Sequence, residues 1–263
     1  MNVTLKHGDC LQLMKELSDN SIDLIVTSPP YDNLRVYNKT LNWDFAIFKN
    51  IANEIYRVVK DGGVVVWVVS DSTIKGSETG TSFKQALYFK DIGFCLYDTM
   101  IWRKPNPSVP TESRYYNAFE YMFVLSKGKP NALNFICDRE NKTYGNSYKS
   151  DSKMNPEIRK KLSKIKTVGK YSRRHNVWDI PVGVNKTKHP AVFPLQLAID
   201  HIKTWSNEND IILDPFMGSG TTGVACKKLN RNFVGYEINK DYFDMAQERI
   251  NNVKNFLSET WQN

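Results

Sequence analysis

"DIILDPFMGSGTTGVACKKLNRNFVGYEIN", residues 210–239, passes from an apolar run through a glycine-rich corner into a helix-forming stretch and out into a second apolar run. DIILDPF and RNFVGYEIN have the character of short buried strands, and GTTGVACKKLN between them reads as a helix. Strand, helix, strand in this order is the repeating unit of a parallel sheet. The corner carries Gly218, Gly220 and Gly223 in G-x-G-x-x-G spacing. Such a corner lets a ligand come close to the backbone and aims a helix N-terminus at it. Glu237 ends the second strand, 23 residues after Asp214, where a carboxylate can grip ribose hydroxyls.

Outward from this unit the alternation continues. KDYFDMAQERINNV follows it as a helix, and FPLQLAIDHIKTWS precedes it as another. Nearer the N-terminus, IDLIVTS (22–28) and GGVVVWVVSD (62–71) read as buried parallel strands. FAIFKNIANEIYRVVKDGG between them has apolar residues at helical spacing, so it is a crossover helix with Gly62 and Gly63 as its stop. SFKQALYFKDIG is a weaker helix, and FCLYDTMIWRK and EYMFVLSKG are strands. The fold expected is α/β, a doubly wound Rossmann-like sheet. From 128 to 187 the apolar periodicity fades and lysine rises. Residues 1–127 and 188–263 are therefore read as two parts of one domain, interrupted by a basic insertion at 128–187.

Composition narrows the function. The 263 residues are 41% hydrophobic with a mean hydropathy of -0.48, as in an ordinary soluble protein. The start, MNVTLKHGDC, lacks a long apolar run and no stretch approaches a membrane span, so a cytoplasmic location with no membrane partner is expected. Cys10, Cys95, Cys137 and Cys226 are scattered without a C-x-x-C or a nearby histidine pair, so no metal site and no disulfide framework are expected. Net charge is +8, and it is concentrated: residues 142–174 hold eleven basic and two acidic side chains. One basic segment on an otherwise balanced chain points to a polyanionic partner.

A second corner matters as much as the glycine turn. In DLIVTSPPYDNLRVY (23–37) a buried strand exits into Ser28, Pro29, Pro30 and Tyr31. Proline has no backbone N–H and pushes its predecessor toward extended geometry. Ser28 to Tyr31 therefore form a stiff extended corner with one hydroxyl, exposed carbonyls and one aromatic ring. Both corners follow strands, and open α/β sheets bind ligands beyond the carboxyl ends of their strands. One corner holds a cofactor, and the other presents its hydroxyl to a second molecule.

The glycine spacing by itself suits a nicotinamide dinucleotide, which would make the protein an oxidoreductase. Two features weigh against that: little chain follows the turn, and the turn opens with Asp214-Pro215-Phe216, a carboxylate where a pyrophosphate would be repelled. A ligand with ribose, adenine and a cationic tail tolerates the carboxylate, and S-adenosylmethionine is such a ligand.

TSPPY, the basic insertion, HPAVFP, DPFMGSGTT and GYEIN, with GDC near the start, stand in an order that resembles the amino-group DNA methyltransferases of the N4-cytosine/N6-adenine family. More narrowly, the chain is similar to the subgroup whose catalytic motif precedes its cofactor motif. The resemblance implies S-adenosylmethionine as cofactor and double-stranded DNA as partner, and leaves room for a homodimer and a companion restriction endonuclease. It implies that Ser28, Pro29, Pro30 and Tyr31 form the target-base site, with Ser28 Oγ and the Pro29 carbonyl on the exocyclic amino group and Tyr31 stacked on a flipped base. Asp214, Pro215, Phe216, Gly218, Ser219, Gly220 and Thr221 would surround the methionine tail, with Glu237 on the ribose. Asp9 and Cys10 would border the adenine, and His189, Pro190 and Phe193 would pack beside the cofactor. For DNA contact the candidates are Arg35, Lys160, Lys161, Lys164, Arg173 and Arg174. Members with Ser before Pro-Pro usually act on cytosine N4, those with Asp or Asn on adenine N6, so Ser28 favours cytosine N4 with adenine N6 as the alternative.

Overall fold

The computed structural model describes residues 1–30, 43–106, 114–149, 165–182 and 193–253. In chain order its strands are β1 (Val3–His7), β2 (Ile22–Thr27), β3 (Val59–Val69), β4 (Thr73–Ile74), β5 (Ser77–Glu78), β6 (Cys95–Arg103), β7 (Phe119–Ser126), β8 (Arg139–Glu140), β9 (Ser147–Lys149), β10 (Ile165–Thr167), β11 (Tyr171–Ser172), β12 (Val177–Asp179), β13 (Ile211–Asp214) and β14 (Asn232–Glu237). The helices are α1 (Cys10–Met14), α2 (Phe45–Val58), α3 (Thr81–Asp91), α4 (Leu195–Trp205), α5 (Thr221–Lys228) and α6 (Lys240–Asn251).

Eight strands form one sheet in the order β1-β14-β13-β2-β3-β7-β6-β12. Neighbours are parallel except where β7 runs antiparallel to both β3 and β6. The central strands are apolar on both faces because both faces are covered. Leu24, Val26, Val64, Val66 and Val68 point into one core, shared with α4, α5 and α6. Ile25, Val65, Trp67 and Val69 point into the other, shared with α1, α2 and α3. Strand side chains alternate between faces, so one continuous run of valines serves two cores. Helices on both sides of a mainly parallel sheet are the doubly wound arrangement expected.

Two elements differ from their sequence reading. Gly62 and Gly63 do not stop the crossover helix. α2 ends at Val58, and Val59 is already extended, at φ -72 and ψ 132, as the first residue of β3. The glycines lie inside β3, where pairing with β2 jumps from Ile22↔Val59 to Leu24↔Val64. Gly62 has φ 77, and a Cβ there would stand 2.3 Å from the Asn131 side chain, so the residue makes a bulge that only glycine fits. At the N-terminus, β1 and α1 carry no strong periodicity. β1 is a largely exposed edge strand, and α1 is a single short turn capped by Asp9, whose carboxylate accepts the Gln12 amide at 3.1 Å.

The chain divides into two compact units, Met1–Asn134 with Asn176–Asn263, and Phe135–His175. The smaller unit is narrower than 128–187, because residues 128–134 and 176–182 fall within the larger unit. Ala132 is buried, Asn131 donates to the Asp61 carbonyl at 2.8 Å, and β12 pairs with β6 around a buried Trp178. The smaller unit has two antiparallel ladders, β8 with β11 and β9 with β10.

Candidate active site

The carboxyl ends of β1, β14, β13, β2 and β3 lie along one edge of the sheet, since these strands are parallel. From β13 the chain moves outward to β14, and from β2 it moves the opposite way to β3. The switch point lies between β13 and β2, where a doubly wound sheet opens its ligand crevice. The ladder joining these two strands ends at Leu213↔Ile25. Both corners begin just beyond it: Ser28 follows β2 and Asp214 closes β13.

Asp214 does not open into the crevice. It is 1% exposed. Its Oδ1 accepts the Thr27 hydroxyl at 2.6 Å and the Phe216 amide at 3.1 Å, and its Oδ2 accepts the Thr222 hydroxyl at 2.7 Å. Burial pushes its carboxyl up to about 6, against the pull of these donors. The carboxylate thus ties together the exit of β2, the start of the glycine turn and the first turn of α5.

The turn itself is closed by the Met217 amide on the Tyr236 carbonyl and the Gly220 amide on the Met217 carbonyl, both at 2.8 Å. Gly220 caps α5 at φ 81, and a Cβ there would lie 2.9 Å from that of Ala246 on α6. Ser219 is buried, and Arg249 of α6 donates to its carbonyl and, at 2.6 Å, to its hydroxyl. Phe216 is half-buried, edge-on to Trp43 at 5.5 Å and to Trp67 at 6.1 Å. Thr221 Oγ1 is buried with no hydrogen-bond partner among the described residues.

Glu237 stands at the end of β14, beside the turn. Its Oε2 accepts the Gly218 amide and its Oε1 the Asn239 amide, each at 2.8 Å. Burial raises its carboxyl above the usual range despite these amides. β1 pairs with β14 through His7↔Glu237, and the Gly8 amide bonds the Glu237 carbonyl at 2.9 Å, which brings Asp9 and Cys10 to the same edge. Asp9 is exposed, while the Cys10 thiol is buried and pushed up to about 12, so it is a neutral apolar surface.

Of the second corner, Ser28 and Pro30 are half-buried and Pro29 is buried. Phe193 packs against the core that holds α4. In the smaller unit, Arg174 forms an ion pair with Asp138, and the Arg173 guanidinium lies 3.8 Å from the Phe135 ring centroid. Tyr31, Arg35, Lys160, Lys161, Lys164, His189 and Pro190 lie outside the described residues.

Sequence reading missed Thr27, Thr222, Trp43 and Arg249. Thr27 and Thr222 read as ordinary strand and helix residues; the partner of Thr27 is 187 residues away in the chain, and that of Thr222, 8 residues away, is marked by no spacing rule. Arg249 sits in a helix with several charged residues, and nothing in its spacing marks it as the one that turns inward.

A parallel sheet with a glycine turn at its switch point, a carboxylate at the end of the next strand and a hydroxyl at the facing corner defines a nucleotide-binding α/β enzyme. Residues 22–248 match the N6/N4 DNA methylase family, and the chain belongs to that family. It is a DNA methyltransferase, and the oxidoreductase reading falls away. Over 254 residues it is 50% identical to the orphan methyltransferase M.BamHII of Bacillus amyloliquefaciens, covering 91% of this chain and 92% of that one. The type II methyltransferase M.SmaI of Serratia marcescens is 29% identical over 92% of this chain and 89% of its own. Among solved structures, the M1.HpyAVI–SAM complex aligns at a TM-score of 0.61 with 28% identity, covering 94% of this chain and 99% of that one. The PvuII DNA methyltransferase, described as cytosine-N4-specific, aligns at 0.71 with 20% identity, covering 98% and 89%, a likeness of fold.

Proposed function

We propose that this methyltransferase moves a methyl group from S-adenosylmethionine to the N4 amino group of a cytosine flipped out of duplex DNA. The observation that carries the choice of base is Ser28, a neutral hydroxyl at the first position of the corner, in a family whose Ser-Pro-Pro members usually act on cytosine. An exocyclic amino nitrogen is a poor nucleophile because its lone pair is delocalised into the ring. Ser28 Oγ and the Pro29 carbonyl, accepting its hydrogens, favour a localised lone pair aimed out of the ring plane. Tyr31 stacks on the base. Positioning and fixed dipoles supply the acceleration, and no covalent enzyme intermediate is needed.

The residues of the glycine turn fit the cofactor. A buried hydroxyl without a partner costs about 1–3 kcal/mol, so the unpaired Thr221 Oγ1 in the turn suits a polar ligand group. When bound, S-adenosylmethionine supplies an electrophilic sulfonium methyl. Glu237 holds its ribose through the lone pairs that its two amide bonds leave over. Asp9 and Cys10 border the adenine, and His189, Pro190 and Phe193 pack beside the cofactor. Pro215, Phe216, Gly218, Ser219, Gly220 and Thr221 line the methionine tail. Asp214, buried beneath the turn, positions it from below.

The basic region at 128–187 reads the DNA target in this proposal, with Lys160, Lys161, Lys164, Arg35, Arg173 and Arg174 toward phosphate. The experiment is expression in a host free of DNA methylation, followed by sequencing that separates N4-methylcytosine from N6-methyladenine. N4-methylcytosine at one short motif is expected. N6-methyladenine would overturn the base assignment and leave methyl transfer standing.

A further inference from the structure

β3 leaves the sheet beside β2, at the edge where the Ser28 corner begins. Thr27 pairs with Trp67, so Val68 stands level with Ser28, and β3 ends one residue later at Val69. The chain then turns out into the β4–β5 hairpin, in which Thr73 faces Glu78 and Ile74 faces Ser77. Every residue from Thr73 to Glu78 is exposed.

A hairpin this short is marginal in water by itself, and this one is braced at both ends. At its base Asp71 Oδ1 accepts the Thr79 hydroxyl at 3.2 Å and the Ser82 amide at 2.9 Å, and the Thr79 amide bonds the Ser72 carbonyl at 2.9 Å. Near its tip the Arg114 guanidinium donates to the Gly76 carbonyl and lies 3.7 Å from the Glu78 carboxylate, whose charge it offsets. The turn itself is Lys75-Gly76, at φ 49 and φ 79. Positive φ at both central residues marks the hairpin turn that favours Asn-Gly. A lysine there takes up a left-handed backbone that a Cβ disfavours, so local folding does not account for the choice of residue. Its ammonium has no hydrogen-bond or ion-pair partner among the described residues.

We propose that the β4–β5 hairpin is a DNA-contacting finger, and that Lys75 at its tip takes a backbone phosphate of the duplex near the target base. The enzyme acts on DNA, the hairpin leaves the ligand-binding edge of the sheet, and the unpaired charge it carries is positive. A two-stranded ribbon is also narrow enough for the major groove. The place of the contact rests on the reading of Ser28 as the amino-group acceptor. Lys75 lies seven residues past Val68, so at most about 25 Å of chain separates it from the level of Ser28. At about 3.4 Å per base pair this is a reach of about seven base pairs.

The test compares wild type with Lys75→Asn and Lys75→Arg, measuring binding to duplex DNA carrying the methylated motif across a salt series, cofactor affinity by calorimetry, and melting temperature. Lys75→Asn removes the charge and leaves Asn-Gly, which suits the turn better. It should weaken binding roughly fivefold at about 0.1 M salt and make the slope of log affinity against log salt shallower by about 0.9. Lys75→Arg should keep both at wild type. In neither variant should cofactor affinity or melting temperature fall. Duplexes with one phosphate at a time replaced by a neutral methylphosphonate then locate the contact. Wild type should lose affinity at one position within about seven base pairs of the methylated base, where Lys75→Asn loses none. An unchanged slope in Lys75→Asn, a fall in its cofactor affinity or melting temperature, or the lack of any such position overturns the proposal. A wild-type rate of single-turnover transfer in Ser28→Ala would instead sink the reading of the corner, whereas a slow Ser28→Ala with no coupled phosphate sinks the hairpin contact alone.

Discussion

Glu237 gives one lone pair on each carboxylate oxygen to a backbone amide, Gly218 on one and Asn239 on the other. Its replacement by alanine removes the proposed ribose contact and unpairs two amides at the rim of the turn. Cofactor affinity in Glu237→Ala should fall by about 1.5–3 kcal/mol, the range for hydrogen bonds to a charged group. Calorimetric titration checks this, and wild-type affinity would refute the assignment. Asp214 makes a pH prediction. Burial raises its carboxyl from 3.8 to about 6, with the Glu237 charge adding to the rise and the Thr27, Thr222 and Phe216 donors opposing it. A pKa raised by folding means stability that is fully present below about pH 4 and lost as pH climbs through about 6. The loss is roughly 3 kcal/mol at about 1.4 kcal/mol per unit. Asp214→Asn has no carboxyl to titrate, so urea denaturation should find the variant gaining on wild type by about that amount between about pH 4 and 7. The Cys226 thiol beside it is also pushed up by burial and stays neutral over this window. A difference that is flat with pH would show that Asp214 ionises normally.

Among the elements, α5 packs closely on its neighbours. A Cβ on Gly223 would fall 2.4 Å from Ile250 Cδ1 of α6 and 2.6 Å from the Phe233 ring of β14. The third glycine of the motif therefore lets helix and sheet meet, a packing role independent of any ligand. Gly223→Ala should destabilise the fold by about 1–3 kcal/mol, the cost of overpacking a filled core. The urea midpoint should drop without a change in slope; an unchanged midpoint would mean the neighbours give way freely. Gly62 shows the opposite limit of legibility. Gly-Gly after an amphipathic helix reads as a stop signal, yet here it is a bulge in the strand that follows. Helix end and strand start are adjacent, and only the pairing of β3 with β2 tells them apart.

For the whole molecule, charge is the quantity that sequence measures best. Phosphate contacts release counterions, so log affinity for duplex DNA should fall against log salt at about -0.9 per neutralised phosphate. Replacing Lys160, Lys161 and Lys164 together by alanine should make that slope shallower by about 0.9 for each lysine that reaches phosphate, with cofactor affinity unchanged. An unaltered slope and affinity would remove these lysines from the interface. Arg174 is already paired with Asp138, so its removal should alter the slope less than removal of an unpaired lysine would.

The alternation of β2, α2 and β3, the unit from β13 to β14, and the two corners after strands were all legible in sequence, because strand and helix periods and glycine spacing are local properties. The reversed direction of β7 within the eight-stranded sheet was not legible, since an apolar run buried on both faces looks the same in either direction. Local pattern also cannot say where a carboxylate points. In sequence Asp214 is an acid at the mouth of a glycine turn; in the fold it is buried and joined to Thr27 and Thr222, which stand 187 and 8 residues away. Periodicity records which side of an element is apolar, while a buried polar side chain takes its partner from whatever strand the sheet order brings beside it. The two corners were therefore written in the sequence, and the bond that holds one against the other was decided by tertiary structure alone.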